Sequence, residues 1–416
     1  MITLRKTRAI RMMIHQYILI VLSILWMAFS GIQTGNAQPS QSTAIRQVPY
    51  TAIRTGAERS DVYVPLLKGK RVGIVCNQNS RIGTTHLVDY LLESGVKIEK
   101  IFAPEHGIRG DVEAGGTIDH GTDEKTGIRI VSLYGSNKKP ALEDLVGIDL
   151  ILFDIQDVGV RFYTYISTLA LVMEAAAENN LPVVVTDRPN PNGFFIDGPV
   201  LDTNFRSFVG MHPVPVVYGM TIGEYALMVN GEGWLGSRKC DLTVIPMEGY
   251  DHDMLVTLPF RPSPNLTTWE SIYLYPSTCF FEGTIVSVGR GTLRPFQVFG
   301  HPGFLIGSYK FTPVKIPGMA EKPPFEGEEC LGHDVTEYAR DFLNHPNQLN
   351  LFWLIEFYQY FSGRADFFNS YFDKLAGTDR LRLDILSGKG EDEIRESWEP
   401  GLSAFRAIRE RYLIYP

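Results

Sequence analysis

Between Lys70 and Thr186 the chain alternates short β-branched runs with amphipathic stretches, an order that few folds can accommodate. The runs are Arg71–Cys76, 98–102, 128–133, Leu150–Asp154 and Val183–Thr186. Each has strand length and is bounded by turn-forming residues, whereas 84–93, 140–146 and 163–179 between them carry helical spacing. Strands that alternate with helices predict a parallel sheet wrapped on its faces. The expected fold class is therefore α/β, a Rossmann-like doubly wound parallel sheet. Beyond Pro189 the sequence is richer in Gly, Pro and aromatic residues. There, 220–230 reads as a helix, with Thr221 and Glu224 spaced as a capping box. The segment 242–246 reads as one more strand, either closing the first sheet or opening a second domain. An aromatic-rich helix near 351–361 and a terminal helix from about 391 to 411 suggest that this second domain is α+β. The expected division is 61–235 for the Rossmann-like domain and 236–416 for the C-terminal α+β domain, with 38–60 as a polar arm.

The first 37 residues read differently. Arg5, Lys6, Arg8 and Arg11 precede an apolar run at 18–29, and Gly35-Asn36-Ala37 forms a small-x-small cleavage signature before Gln38. The run falls short of the roughly 20 apolar residues that span a bilayer. A cleavable signal peptide, a periplasmic or secreted mature chain and no stable membrane insertion after cleavage are expected. Cleavage removes four basic residues and no acidic one, so the formal charge moves from −8 to −12. That balance argues against nucleic acid and anionic membrane surfaces as partners. Cys76, Cys240, Cys279 and Cys330 are widely spaced with no C-x-x-C pair, which predicts buried free thiols rather than a zinc or redox motif.

Ligands of open α/β sheets sit beyond the carboxyl ends of the strands. Here those ends deliver Asn77; Glu105, His106 and Arg109; Tyr134 and Gly135; Asp154, Gln156, Asp157 and Arg161; and Asp187, Arg188 and Asn190. Carboxylates, amides and arginines in this number suit a ligand rich in hydroxyls. Neither G-x-G-x-x-G nor a P-loop motif occurs, which argues against a nucleotide cofactor. Glu105, behind Pro104 and before Gly107, is the candidate general acid for glycosidic cleavage, and Asp154 or Asp157 the second carboxylate. The alternative for Glu105 is a carboxylate that only fixes its turn. His106 is either an orienting neighbour or structural. His106, Asp111, Glu113, Asp119 and His120 contain ligand types for a metal but no H-E-x-x-H spacing, so no metal or organic cofactor is expected. The second half adds Asn265 in an Arg-Pro-Ser-Pro-Asn loop, Tyr275-Pro276 as a rigid loop, Glu282 as a reserve carboxylate and Arg290. Trp269, Tyr273 and Tyr275 either stack on sugar faces or belong to the core.

Several of these segments also carry a resemblance. They are Ala103-Pro104-Glu105-His106-Gly107-Ile108-Arg109-Gly110, the stretch from Asp154 to Tyr165, Asp187-Arg188-Pro189-Asn190-Pro191, Ser263-Pro264-Asn265, Phe281-Glu282-Gly283-Thr284 and Gly289-Arg290-Gly291-Thr292. In this order they resemble the exo-β-N-acetylmuramidase (NamZ-like) family from about Lys70 to the C-terminus. The resemblance implies an active site between two domains and release of terminal N-acetylmuramic acid (MurNAc) from peptidoglycan-derived saccharides or muropeptides. It puts the catalytic glutamate at Glu105 and the adjacent histidine at His106. Arg109, Arg161, Arg188 and Arg290 are candidates for holding the lactyl carboxylate of that sugar, or else pair with internal aspartates. The chain departs from the family pattern at Asp197-Gly198-Pro199 and Val217-Tyr218, where Glu-Gly-Pro and Arg-His are expected, which bears on substrate preference. A metal-dependent envelope amidase or esterase and a non-catalytic muropeptide-binding protein are the competing classes.

Overall fold

The computed structural model describes residues 45–104, 107–108, 121–345 and 347–416. Its centre is a seven-stranded sheet of β1 (Arg71–Cys76), β2 (Lys97–Ala103), β3 (Gly121–Thr122), β4 (Arg129–Ser132), β5 (Leu150–Asp154), β6 (Val183–Thr186) and β7 (Leu242–Ile245), in the order β7-β6-β5-β1-β2-β4-β3. All neighbours are parallel except the short edge pair β3-β4. Of the two places open to 242–246, the chain takes the first: β7 pairs with β6 and extends the sheet.

Side chains alternate across a strand, so each strand supplies both faces. Ile74, Leu152 and Val184 point to one side, where they pack on helices α1 (Ser60–Leu67) and α2 (Leu87–Glu93). Val75, Phe153 and Val185 point to the other, toward α3 (Tyr165–Glu178) and α4 (Ile222–Gly231). The near-continuous apolar character of these strands follows from burial on both faces. Helix α2 begins three residues later than its apolar spacing suggests. Thr85–His86 pairs with Arg81–Ile82 in a small hairpin, and His86 then accepts the Val88 N–H as the helix cap.

The capping box of α4 forms as expected. Thr221 Oγ1 accepts the Glu224 N–H, and Glu224 accepts the Thr221 N–H. Tyr275-Pro276, expected in a rigid loop, instead lies within α5 (Trp269–Thr278). A proline inside a helix leaves the carbonyl four residues back without its amide partner. That carbonyl, on Ile272, accepts from the Asn192 side chain at 3.2 Å. Within the expected arm, Arg46–Pro49 forms a strand that pairs in parallel with Met254–Thr257.

The C-terminal part carries a three-stranded antiparallel sheet of β8 (Val298–His301), β9 (Tyr309–Phe311) and β10 (Cys330–Asp334), with β10 central. Around it lie α6 (Phe352–Tyr360), α7 (Phe372–Ala376) and the long terminal α8 (Glu391–Arg409). One hydrophobic cluster runs from Phe153 and Leu169 through Tyr275 and Phe281 to Phe357 and Trp398, so a continuous core supports both parts. Trp269, Tyr273 and Tyr275 contribute to that cluster or pack against it. The four cysteines are buried. Among the described residues no helix is long and apolar enough to cross a membrane.

Candidate functional site

The carboxyl ends of the central strands carry two layers of polar residues, one sealed inside the protein and one facing a groove. The sealed layer holds most of the expected site residues that the structure describes. Asp154, at the end of β5, is fully buried and takes a two-pronged ion pair from Arg188, Nε to Oδ1 at 2.8 Å and Nη2 to Oδ2 at 2.7 Å. Thr186 Oγ1 adds a third bond at 2.8 Å, and Arg188 also donates to the Tyr50 hydroxyl and to the Arg81 carbonyl. Asp187 accepts the Gly223 N–H and the Thr221 and Tyr415 hydroxyls, tying β6 to the start of α4 and to the C-terminus. Gly223 is required there, because a Cβ at that position would stand 2.6 Å from the Asp187 carboxyl carbon. Burial pushes Asp187 up to about 6 despite the hydroxyls and the amide that bond it.

Arg161 is also fully buried and meets no carboxylate among the described residues. Its guanidinium donates to the carbonyls of Pro199, Val214, Leu375 and Ala376, and burial lowers it to about 9. It therefore clamps the end of α7 onto the first part of the chain. Gln156 donates to the Asp157 and Pro189 carbonyls, and Asn190 to the Met220 carbonyl. Gly159 turns in the left-handed region (φ 75°), where any Cβ would overlap the Asn190 amide. Asp154, Asp157, Arg161, Asp187 and Arg188, expected to face a ligand, are thus committed to internal partners. Short polar side chains at the ends of two-faced strands are roofed by the loops that follow them.

Asp157 accepts the Gly159 N–H at 2.7 Å and the Tyr218 hydroxyl on one oxygen, while burial raises it to about 7. An unfolded aspartate titrates near 4, so between about pH 4 and about pH 7 only the folded chain holds this proton and stability falls as pH rises. Asp157→Asn keeps the acceptor and removes that contribution. Urea midpoints compared at about pH 5 and about pH 8 should therefore drop less in the variant than in the wild type. The departures from the family pattern meet at the same place. Asp197 and Val217 exchange backbone hydrogen bonds, Tyr218 reaches Asp157, and the Asp197 carboxylate pairs with Arg395. Asp197, Val217 and Tyr218 are all buried.

The groove-facing layer is different. A polar cavity of about 160 Å³ is lined by Tyr163, Thr164, Tyr165, Asn265, Glu282 and Arg290 among others. Asn77 Nδ2 bonds the Tyr165 hydroxyl at 3.1 Å, and the Tyr163 hydroxyl bonds the Pro262 carbonyl at 2.7 Å, joining the end of β1, the start of α3 and the 261–265 loop. Asn265 donates to the Met319 carbonyl, while its buried Oδ1 has no partner among the described residues and is suited to a ligand hydroxyl or amide. Glu282 and Arg290 form an ion pair at the wall. Of the expected carboxylates that the structure describes, Glu282 alone lines this cavity. A larger cavity of about 590 Å³ adjoins it through Thr164, Val209 and Tyr371, and adds Tyr134, Lys138, Phe208 and Lys374. Lys138, Phe208, Tyr371 and Lys374 were not apparent from sequence, because no spacing rule links segments so far apart.

Glu105, His106, Arg109, Asp111, Glu113, Asp119 and His120 lie outside the described residues. The strand before them does not: Ala103, which ends β2, accepts the Leu133 N–H at 2.8 Å, one residue before Tyr134 of the larger cavity. Among the described residues no group of three or more His, Cys, Asp or Glu side chains is placed to hold a metal ion.

Comparison with known proteins bears on what this groove serves. Residues 72–270 match the family model described as exo-β-N-acetylmuramidase NamZ, N-terminal, and residues 273–415 match its C-terminal counterpart. The chain is 39% identical to the peptidoglycan β-N-acetylmuramidase NamZ of Bacillus subtilis, over 94% of this chain and 97% of that one. Two crystal structures of DUF1343-family proteins from Bacteroides fragilis are similar in fold. One has a TM-score of 0.81 at 44% identity, covering 87% of this chain and 99% of that one. The other has a TM-score of 0.73 at 29% identity, covering 88% and 99%.

Proposed function

We infer the reaction from one premise: this chain belongs to the exo-β-N-acetylmuramidase NamZ family. It is a glycoside hydrolase that releases β-linked MurNAc from the non-reducing ends of peptidoglycan fragments. The observation that carries this reading is the match of both family halves along the chain from residue 72 to 415. The polar, aromatic-walled groove at the strand ends supports it, since sugars are bound by hydroxyl-directed polar groups and ring faces.

Glu105, two residues beyond β2 in the sequence, is assigned as the general acid that protonates the leaving glycosidic oxygen and then as the base that activates water. His106 is placed beside it as an orienting group. With Asp154 and Asp157 engaged internally, Glu282 stands as the second carboxylate facing the sugar. Met1 to Ala37 is assigned as a cleaved signal peptide, which places the mature chain in the periplasm or outside the cell.

The reading is tested by giving the mature chain a MurNAc-capped β-linked disaccharide and its GlcNAc-capped counterpart, each with and without chelator. Release of MurNAc from the first alone, undiminished by chelator, is expected. Loss of activity on chelation would indicate a metal-dependent hydrolase, and tight binding without sugar release a muropeptide-binding protein.

A further inference from the structure

We propose that the cavity lined by Lys138 and Lys374 binds a carboxylate carried on the substituent of the terminal sugar, and so selects acidic over neutral saccharides. This rests on the reading above, because it takes the adjoining polar cavity as the sugar site. The expected anion partners were arginines. Of the three described, Arg161 is sealed among carbonyls, Arg188 is spent on Asp154, and Arg290 is paired with Glu282. None is left to neutralise a ligand.

The lysines are. Neither Lys138 nor Lys374 forms an ion pair among the described residues, although acids and cations close by are matched with others. Lys139 takes both Glu174 (2.9 Å) and Glu178 (2.8 Å), and Asp373, adjacent to Lys374, is held by Arg382 at 2.8 Å. Among the described residues no carboxylate lines this cavity, in a chain whose formal charge is −8. The Lys138 ammonium stands 4.6 Å from the centroid of the Phe208 ring, a cation–π contact that keeps it at the wall. Thr164, the N-cap of the 14-residue α3, lines the same cavity, so the positive end of that helix adds to the field. The cavity shares Thr164, Val209 and Tyr371 with the polar one, which puts the two ammonium groups within one substituent's reach of a bound sugar.

Two sources offer the same chemistry: a free lactyl carboxylate, or the terminal carboxylate of a peptide amide-linked to the lactyl group. The test compares wild type with Lys138→Met/Lys374→Met on three β-linked disaccharides, bearing the lactyl acid, its carboxamide, and a lactyl-linked dipeptide with a free carboxylate. Calorimetric binding is read beside kcat and KM. Wild type should favour an acidic substrate over the carboxamide by about tenfold, chiefly in KM, and the preference should shrink with added salt. In the double variant the gap should close to less than about twofold. Whichever acidic substrate loses its advantage identifies the source. A wild type that treats the acids and the amide alike, or a variant that keeps the gap, overturns the proposal. Binding that shows the charge preference without sugar release would overturn the hydrolase reading instead.

Discussion

Glu105→Gln is expected to leave the unfolding transition in place and to lower sugar release by about 10²–10⁴-fold, the usual contribution of a positioned general acid. The substitution preserves shape and hydrogen-bonding capacity but removes the transferable proton. β2, which ends two residues before Glu105 in the sequence, is paired with β1 up to Phe102 and with β4 up to Ala103. Pro104 and Gly107, which bracket Glu105 and His106 in the sequence, are joined by a Gly107 N–H to Pro104 carbonyl bond of 3.1 Å. A catalytic loss should appear in kcat far more than in KM. A substrate whose leaving group needs no protonation should recover much of the lost rate in the variant. A near-normal rate on the natural disaccharide would remove Glu105 from the mechanism.

Arg188→Met is expected to cost about 3–5 kcal/mol of stability, because it strands a buried carboxylate without its cation. Asp154 is fully buried and Arg188 nearly so, and each prong of their pair is shorter than 3 Å. The effect belongs to folding and not to ligand contact. Asp154→Asn/Arg188→Met should therefore regain part of the loss, since the stranded charge is gone, and a double-mutant cycle in urea should show strong coupling. Equal destabilisation by the single and double variants would mean that the ion pair is not what holds this region.

The pattern of what was legible in the sequence follows from the range of the forces involved. Arg71–Cys76, Leu150–Asp154 and Val183–Thr186 were read with their observed bounds, because burial on both faces writes a continuous apolar run. The α4 capping box was read because Thr221 and Glu224 satisfy each other locally. Helix α5 was not, since Pro276 signals a break and the Asn192 amide that relieves it comes from 80 residues away. The four-residue strand Arg46–Pro49 is too short to show periodicity, and its partner lies at Met254–Thr257. For the site, the strand ends located the polar residues, but sequence does not tell which face inward. Asp154 and Arg188 choose each other, whereas Lys138 and Lys374 remain for the groove, and only the tertiary arrangement separates the two outcomes.

The central claim is terminal cleavage, and a defined glycan longer than a disaccharide tests it most directly. Given an alternating chain with MurNAc at its non-reducing end, the enzyme should release one free MurNAc per chain. The shortened product, now ending in GlcNAc, should then resist it until that sugar is removed by other means. Mass spectrometry over the time course would show a single step of one MurNAc and no internal fragments. Disaccharides or larger pieces arising from the interior, or continued shortening past the exposed GlcNAc, would contradict the account.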